Sequence, residues 1–228
     1  MLKGIFWDND GVLVDTEPLY FQAMRDTLSE IGIALPLGLY ARITLQEGRS
    51  SLCLARKAGF SKREVERLRD AKNIRYGKLL ETGVRPLPGV PEAVAALRPH
   101  VAMAIVTSSR RDHFELIHRH TGLPQQFDFV LTRENFHQTK PHPEPYLKAL
   151  DRSGLHPSEC LVIEDTRRGL EAARAAGMRC LVIPSVLTRN APFPGAWKIV
   201  PDIASAVKVI EAELFGTPAG EAKGPSNL

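Results

Sequence analysis

The stretch GIFWDNDGVLVDTEPLY, Gly4 to Tyr20, carries an apolar run into Asp8, Asn9, Asp10 and Gly11. In an extended segment, residues i and i+2 point to the same side. Asp8 and Asp10 therefore stand close together and repel, at the end of a strand, Leu2 to Trp7, whose composition suits a core. A cation, a shared proton or a solvated turn must offset that repulsion. Pro18 is placed to open a helix that runs to about Gly32.

From Pro18 to about Gly83 no segment reads as a strand. SLCLARKAGF and SKREVERLRDAKNIRYGKLL read as helices. In the second, Val65, Leu68, Ile74 and Leu79 recur near helical spacing, and Ser61 with Glu64 forms a capping-box signature. The pattern changes at the Pro86–Pro88 junction. The apolar runs VAMAIVTSS, FDFVLT, CLVIED and RCLVIPS then alternate with the helical stretches RDHFELIHRHTGL, PEPYLKALDRSG and TRRGLEAARAAGM. Alternation of this kind implies a parallel sheet with helices on its faces, and strands apolar throughout fit burial on both sides.

The expected fold is thus α/β, a Rossmann-like parallel-sheet core interrupted by an inserted α-helical cap. The core takes residues 1–16 and 86–215, the cap 17–85, and the polar tail 216–228 reads as disordered. An insertion behind the first strand's carboxyl end lies where open α/β sheets bind ligands, so the cap is a candidate lid.

Other strand ends repeat the oddity of the first. VAMAIVTSSR closes on Thr107, Ser108 and Ser109, CLVIED on Glu164 and Asp165, and TKPHPEPY sets Lys140 in a proline-bounded loop. A parallel sheet brings these ends to one edge. Four acids beside one lysine and several hydroxyls are costly without a metal, and oxygen-only ligands point to Mg²⁺. Hydroxyls, helix-start amides and a lysine equip the same edge for a phosphate.

Composition excludes little else. The 228 residues carry a net charge of +4, with aromatics at 7%. Basic residues are scattered, which fits small anionic substrates and argues against nucleic acid. Cys53, Cys160 and Cys180 lack metal or redox spacing and read as reduced thiols of a cytoplasmic protein. Met1 to Trp7 is too short for a signal segment, and no apolar run reaches roughly 18 residues, so no membrane span is expected.

DNDGVLVDTE, VTSS, KPHPEPY and EDTRRGLEAARAAGM, in that order, resemble the four motifs of the haloacid dehalogenase superfamily, closest to its phosphatases and phosphomutases with a helical cap. The resemblance covers about Leu2 to Ile183. It implies that Asp8 is the nucleophile and Asp10 the general acid and then base. It implies Mg²⁺ on Asp8, the Asp10 carbonyl and Asp165, with Glu164 reaching the ion directly or through water. Thr107, the Ser108 amide and Lys140 would bind the phosphoryl group. The residue between the paired aspartates is usually apolar in this family, and here it is Asn9, whose side chain is expected to point away from Asp8 and Asp10.

Asp10 argues against the dehalogenases, which lack a second aspartate. Tyr20 stands where β-phosphoglucomutases carry a cap histidine. The expected activity is hydrolysis of a small phosphomonoester such as a sugar phosphate. A sugar phosphomutase is the alternative, and a non-catalytic phospho-ligand module is a third reading. Glu17, Glu47 and Arg49 are candidate specificity residues, with a surface charge pair as the plain reading of the last two. His113, His118 and His120 read as solvated surface. The partner is a small phosphorylated metabolite, and the chain is expected as a monomer or weak homodimer.

Overall fold

The six strands among the described residues run parallel in one sheet of order β3-β2-β1-β4-β5-β6. The computed structural model describes residues 1–216. Its strands are β1 Gly4–Trp7, β2 Ala102–Val106, β3 Phe129–Leu131, β4 Cys160–Glu164, β5 Arg179–Val182 and β6 Lys198–Ile199. The chain lays β2 and β3 on one side of β1, then crosses to lay β4, β5 and β6 on the other. β1 is therefore the switch point of a Rossmann-like sheet, where the crevice for a ligand opens at the carboxyl edge.

Strand alternation divides the core. Ile5 and Trp7 face one side, with Val94 and Leu97 of α5 (Val90–Leu97), Phe114 of α6 (Arg111–His118) and Ile210 of α9 (Ile203–Phe215). Phe6 faces the other, with Tyr146 and Ala149 of α7 (Glu144–Ser153) and Leu170 and Ala173 of α8 (Arg167–Ala175). Each fully buried large apolar side chain contributes about 1.5–3 kcal/mol relative to exposure, so β1 is held from both faces.

Between β1 and α5 the chain is helical, as expected: α1 Glu17–Ser29, α2 Leu37–Tyr40, a π-turn at Ala41–Gln46, α3 Cys53–Lys57 and α4 Lys62–Leu80. These pack around their own cluster of Met24, Leu28, Tyr40 and Leu52. Ser61 and Glu64 form the predicted capping box, with the Ser61 amide donating to Glu64 Oε2 at 2.7 Å and the Glu64 amide to Ser61 Oγ at 3.3 Å. Ile74 departs from the helical reading of α4: it is 63% exposed, because Tyr76 and Leu80 take the inward face instead.

The histidine reading needs correction. His113 and His118 are buried, because α6 lies against both α4 and the sheet, and only His120 is exposed. The strand β6, the helix α9 and the π-turn had no counterpart in the sequence reading. Apart from Gly216, the expected disordered tail lies outside the described residues. Among the described residues no helix is long and apolar enough to cross a membrane.

Candidate active site

Asp8 follows the last residue of β1, and the register sets that strand beside β2 and β4. This brings Asp8, Thr107, Glu164 and Asp165 to one edge, as the sequence predicts. Lys140 reaches them from its loop. Its ammonium is buried and donates to Asp8 Oδ1 at 2.7 Å, Glu164 Oε1 at 2.6 Å and the Val106 carbonyl at 2.8 Å. The Tyr146 hydroxyl also donates to Glu164 Oε1, at 2.6 Å, and Thr166 Oγ1 to Oε2 at 3.2 Å. Thr166 also caps α8, accepting from the Gly169 amide.

Three buried acids stand together here, and Lys140 bonds two of them, Asp8 and Glu164. Asp8, Glu164 and Asp165 each offer an oxygen within 4.8 Å of the others. Burial, and then the Glu164 charge, push the Asp8 carboxyl up to about 7 despite Lys140. Burial, with Asp8 and Glu164 behind it, pushes Asp165 well above the usual carboxylate range. Burial pulls Lys140 down, but Asp8 and Glu164 together hold it above its ordinary value. The site carries more negative charge than its lysine neutralises, which is the condition a bound cation relieves.

The donor set fits Mg²⁺. It consists of oxygens, and Asp165 Oδ1 is buried with no hydrogen-bond partner among the described residues. Gly11 has φ 87°, and a Cβ there would collide with the Asp165 carboxylate. The turn needs glycine both for its backbone and for the close approach.

Asp10 is anchored separately. Thr16 Oγ1 donates to its Oδ1; Ser109 Oγ donates to Oδ2 at 2.7 Å and Thr107 Oγ1 at 3.3 Å. Thr16 was not singled out from the sequence, and Ser109 entered only as one of the hydroxyls that close β2. For Ser109 a signal existed: it lies two residues past Thr107, on the same side of an extended end. Ser108 Oγ is buried without a partner among the described residues. Asn9 only half meets expectation. Its Oδ1 does point away, accepting from His118 Nε2 at 2.7 Å, but its Nδ2 stays 3.3 Å from Asp10 Oδ2.

Asp8 and Asp10 open into a cavity of about 760 Å³ between the sheet edge and the helical insert. Glu17 and Tyr20 of α1 line it. Tyr40 donates to the Glu17 carboxylate, which burial pushes up to about 7. Lys72 of α4 also lines it, buried, with its ammonium 4.2 Å from the Tyr20 ring centroid. Burial, with Arg110 and Arg69 adding to it, lowers Lys72 to about 8. Glu47 and Arg49 are not brought to the cavity wall. They are exposed and pair with each other, which satisfies the guanidinium where it stands.

Comparison with known proteins identifies the family. The family model described as haloacid dehalogenase-like hydrolase matches residues 5–183. Protein CbbY of Rhodobacter capsulatus is 34% identical over 225 residues, 93% of this chain and 99% of the relative. Hexitol phosphatase B of Escherichia coli strain K12 is 32% identical over 201 residues, 84% of this chain and 87% of the relative. A mutant CbbY from Rhodobacter sphaeroides, solved with xylulose-(1,5)bisphosphate, superposes with a TM-score of 0.77 at 25% identity, over 90% of this chain and 96% of that one. With the family model matching residues 5–183 and relatives at 34% and 32% identity over most of the chain, the chain belongs to the haloacid dehalogenase-like hydrolases, as a phosphoric monoester hydrolase.

Proposed function

We propose that the chain is a Mg²⁺-dependent phosphatase of small sugar or polyol phosphates that transfers the phosphoryl group to Asp8. The observation that carries this reading is the Lys140–Asp8 bond of 2.7 Å inside a buried acidic cluster at the floor of the cavity.

Lys140 holds Asp8 in place and reduces the repulsion between two anions, nucleophile and phosphate. Thr107 and the Ser108 amide orient the phosphoryl oxygens. An Asp8 oxygen attacks phosphorus, and the bond from phosphorus to the leaving oxygen breaks. Asp10 gives its proton to that oxygen. Asp10 then takes a proton from water, whose oxygen attacks the same phosphorus and frees Asp8. Asp8, Asp165 and the Asp10 carbonyl would hold Mg²⁺, with Glu164 beside them. When bound, the ion supplies positive charge to the acids and to the phosphate oxygens.

The helical insert, residues 17–85, acts as the lid, excluding bulk water while admitting one molecule for hydrolysis. Glu17, with Tyr40, offers acceptors to substrate hydroxyls. Lys72, which makes no ion pair among the described residues, and Arg69 suit an anionic group beyond the transferring phosphoryl. The names of the relatives, a hexitol phosphatase and a protein solved with a sugar bisphosphate, support this substrate class. The three cysteines, all free, support a cytoplasmic location.

The test is a panel of phosphomonoesters with Mg²⁺, read as inorganic phosphate. Turnover of sugar phosphates, lost in Asp8→Asn and on chelation, is the expected result. No release from any ester by the wild type would overturn the reading. Lys72→Met should raise KM for the preferred sugar phosphate about tenfold with kcat nearly unchanged, the loss of one charge-assisted contact.

A further inference from the structure

We propose that Asn9 and His118 are positioning residues that fix the orientation of the Asp10 carboxylate for proton transfer. The inference rests on the role given to Asp10 above. It starts from one departure: a polar, fully buried residue stands between the paired aspartates.

Asn9 continues the β1 alternation, so its side chain lies on the face of Ile5 and Trp7, toward α6. There His118 Nε2 lies 2.7 Å from Asn9 Oδ1, and His118 Nδ1 lies 2.8 Å from Thr121 Oγ1. The donors can be ordered along this chain. Asp10 Oδ2 accepts, so Asn9 turns its NH₂ there and its Oδ1 to the ring, and the Thr121 hydroxyl, which accepts from the Leu123 amide, donates to His118 Nδ1. That leaves the ring proton on Nε2, pointed at Asn9 Oδ1. The asparagine is held with its NH₂ toward Asp10 Oδ2, at 3.3 Å. The opposite flip would set two acceptors against each other at Asp10 and two donors against each other at His118.

The contact with Asp10 is long, so its value lies in direction rather than strength. The other side chains on Asp10 are hydroxyls of Thr16, Thr107 and Ser109, whose O–H can turn about the C–O bond. The planar amide, locked by a buried imidazole that stacks obliquely on Phe114, gives Oδ2 the one side-chain donor of fixed plane among the described residues. A carboxyl group that must deliver its proton to a leaving oxygen loses rate steeply with misplacement.

The experiment compares kcat/KM, which reports phosphoryl transfer to Asp8, on two probes. Benzyl phosphate has a poor leaving group that needs a proton; para-nitrophenyl phosphate has a good one that does not. Asn9→Leu and His118→Phe should each lose about tenfold on benzyl phosphate and at most about twofold on para-nitrophenyl phosphate. The double variant should lose no more than either alone, since both act through one amide. His118→Gln, which can keep an N–H toward Asn9, should retain most of the benzyl phosphate rate.

Asp10→Asn, run on the same probes, separates this inference from the reading beneath it. If Asp10→Asn falls equally on both probes, the proton-donor role of Asp10 fails. If Asp10→Asn discriminates between the probes while Asn9→Leu and His118→Phe lose equally on both, the pair merely supports the fold and the inference is overturned. Should Asn9→Leu not fold, His118→Phe and His118→Gln carry the test alone.

Discussion

Lys140 shows how one residue joins stability to chemistry. Its buried ammonium stands between Asp8 and Glu164. Lys140→Met would leave two buried carboxylates facing each other, and breaking a buried pair from one side costs about 3–5 kcal/mol. Urea unfolding should register that loss, with phosphatase activity abolished in whatever protein remains folded. At this scale the sequence was informative wherever a polar residue ended an apolar run: Asp8, Asp10, Thr107, Glu164 and Asp165 could be grouped because a parallel sheet forces its strand ends together. His118 could not be found that way. Its partner Asn9 lies 109 positions earlier, and a helix pattern does not say which of its histidines turns inward once a second helix covers it.

Among the elements, α4 carries the cavity's Lys72 and Asn73 on one side while its start is fixed by Ser61 and Glu64. Ser61→Ala should lower stability by about 1 kcal/mol, the ordinary worth of an N-cap, without changing KM, since the cap lies away from the cavity. Thermal melts and Michaelis curves measured side by side would check both halves. The capping box was legible because it is local. The π-turn at Ala41–Gln46, which brings Thr44 and Leu45 to the cavity, was not. It follows a stretch broken by Pro36 and Gly38, and its shape depends on the packing of Ile43 and Leu45 rather than on a sequence period. The exposure of Ile74 has the same origin: spacing near 3.6 selects a face only approximately, and Tyr76 and Leu80 took the inward positions.

For the molecule as a whole, charge at the sheet edge links stability, pH and metal. The carboxyl of Asp8 rises from an ordinary 3.8 to about 7, that of Glu17 from 4.5 to about 7, and Asp165 shifts the same way, burial being the first cause in each. A carboxyl raised on folding binds its proton more tightly in the native state. Its contribution is therefore full below the unfolded value and is lost as pH climbs toward 7. Without divalent ions the melting temperature should fall as pH rises across roughly 4 to 7, and Mg²⁺ should recover much of that loss at the upper end by binding the ionised acids. Melts in chelator and in Mg²⁺ at several pH values would show it; a Mg²⁺ effect independent of pH would contradict it. The parallel sheet was foreshadowed by alternation of strand and helix, though its strand order was not, and the placement of the insert at the edge followed from where it leaves β1.

The most direct measurement is to quench a single turnover in acid within milliseconds and map the peptides by mass. The account predicts one phosphoryl group on the peptide from Gly4 to Tyr20, on Asp8, absent from Asp8→Asn and accumulating in Asp10→Asn given an activated ester. Turnover with no covalent phosphoryl on Asp8 at any time would contradict it.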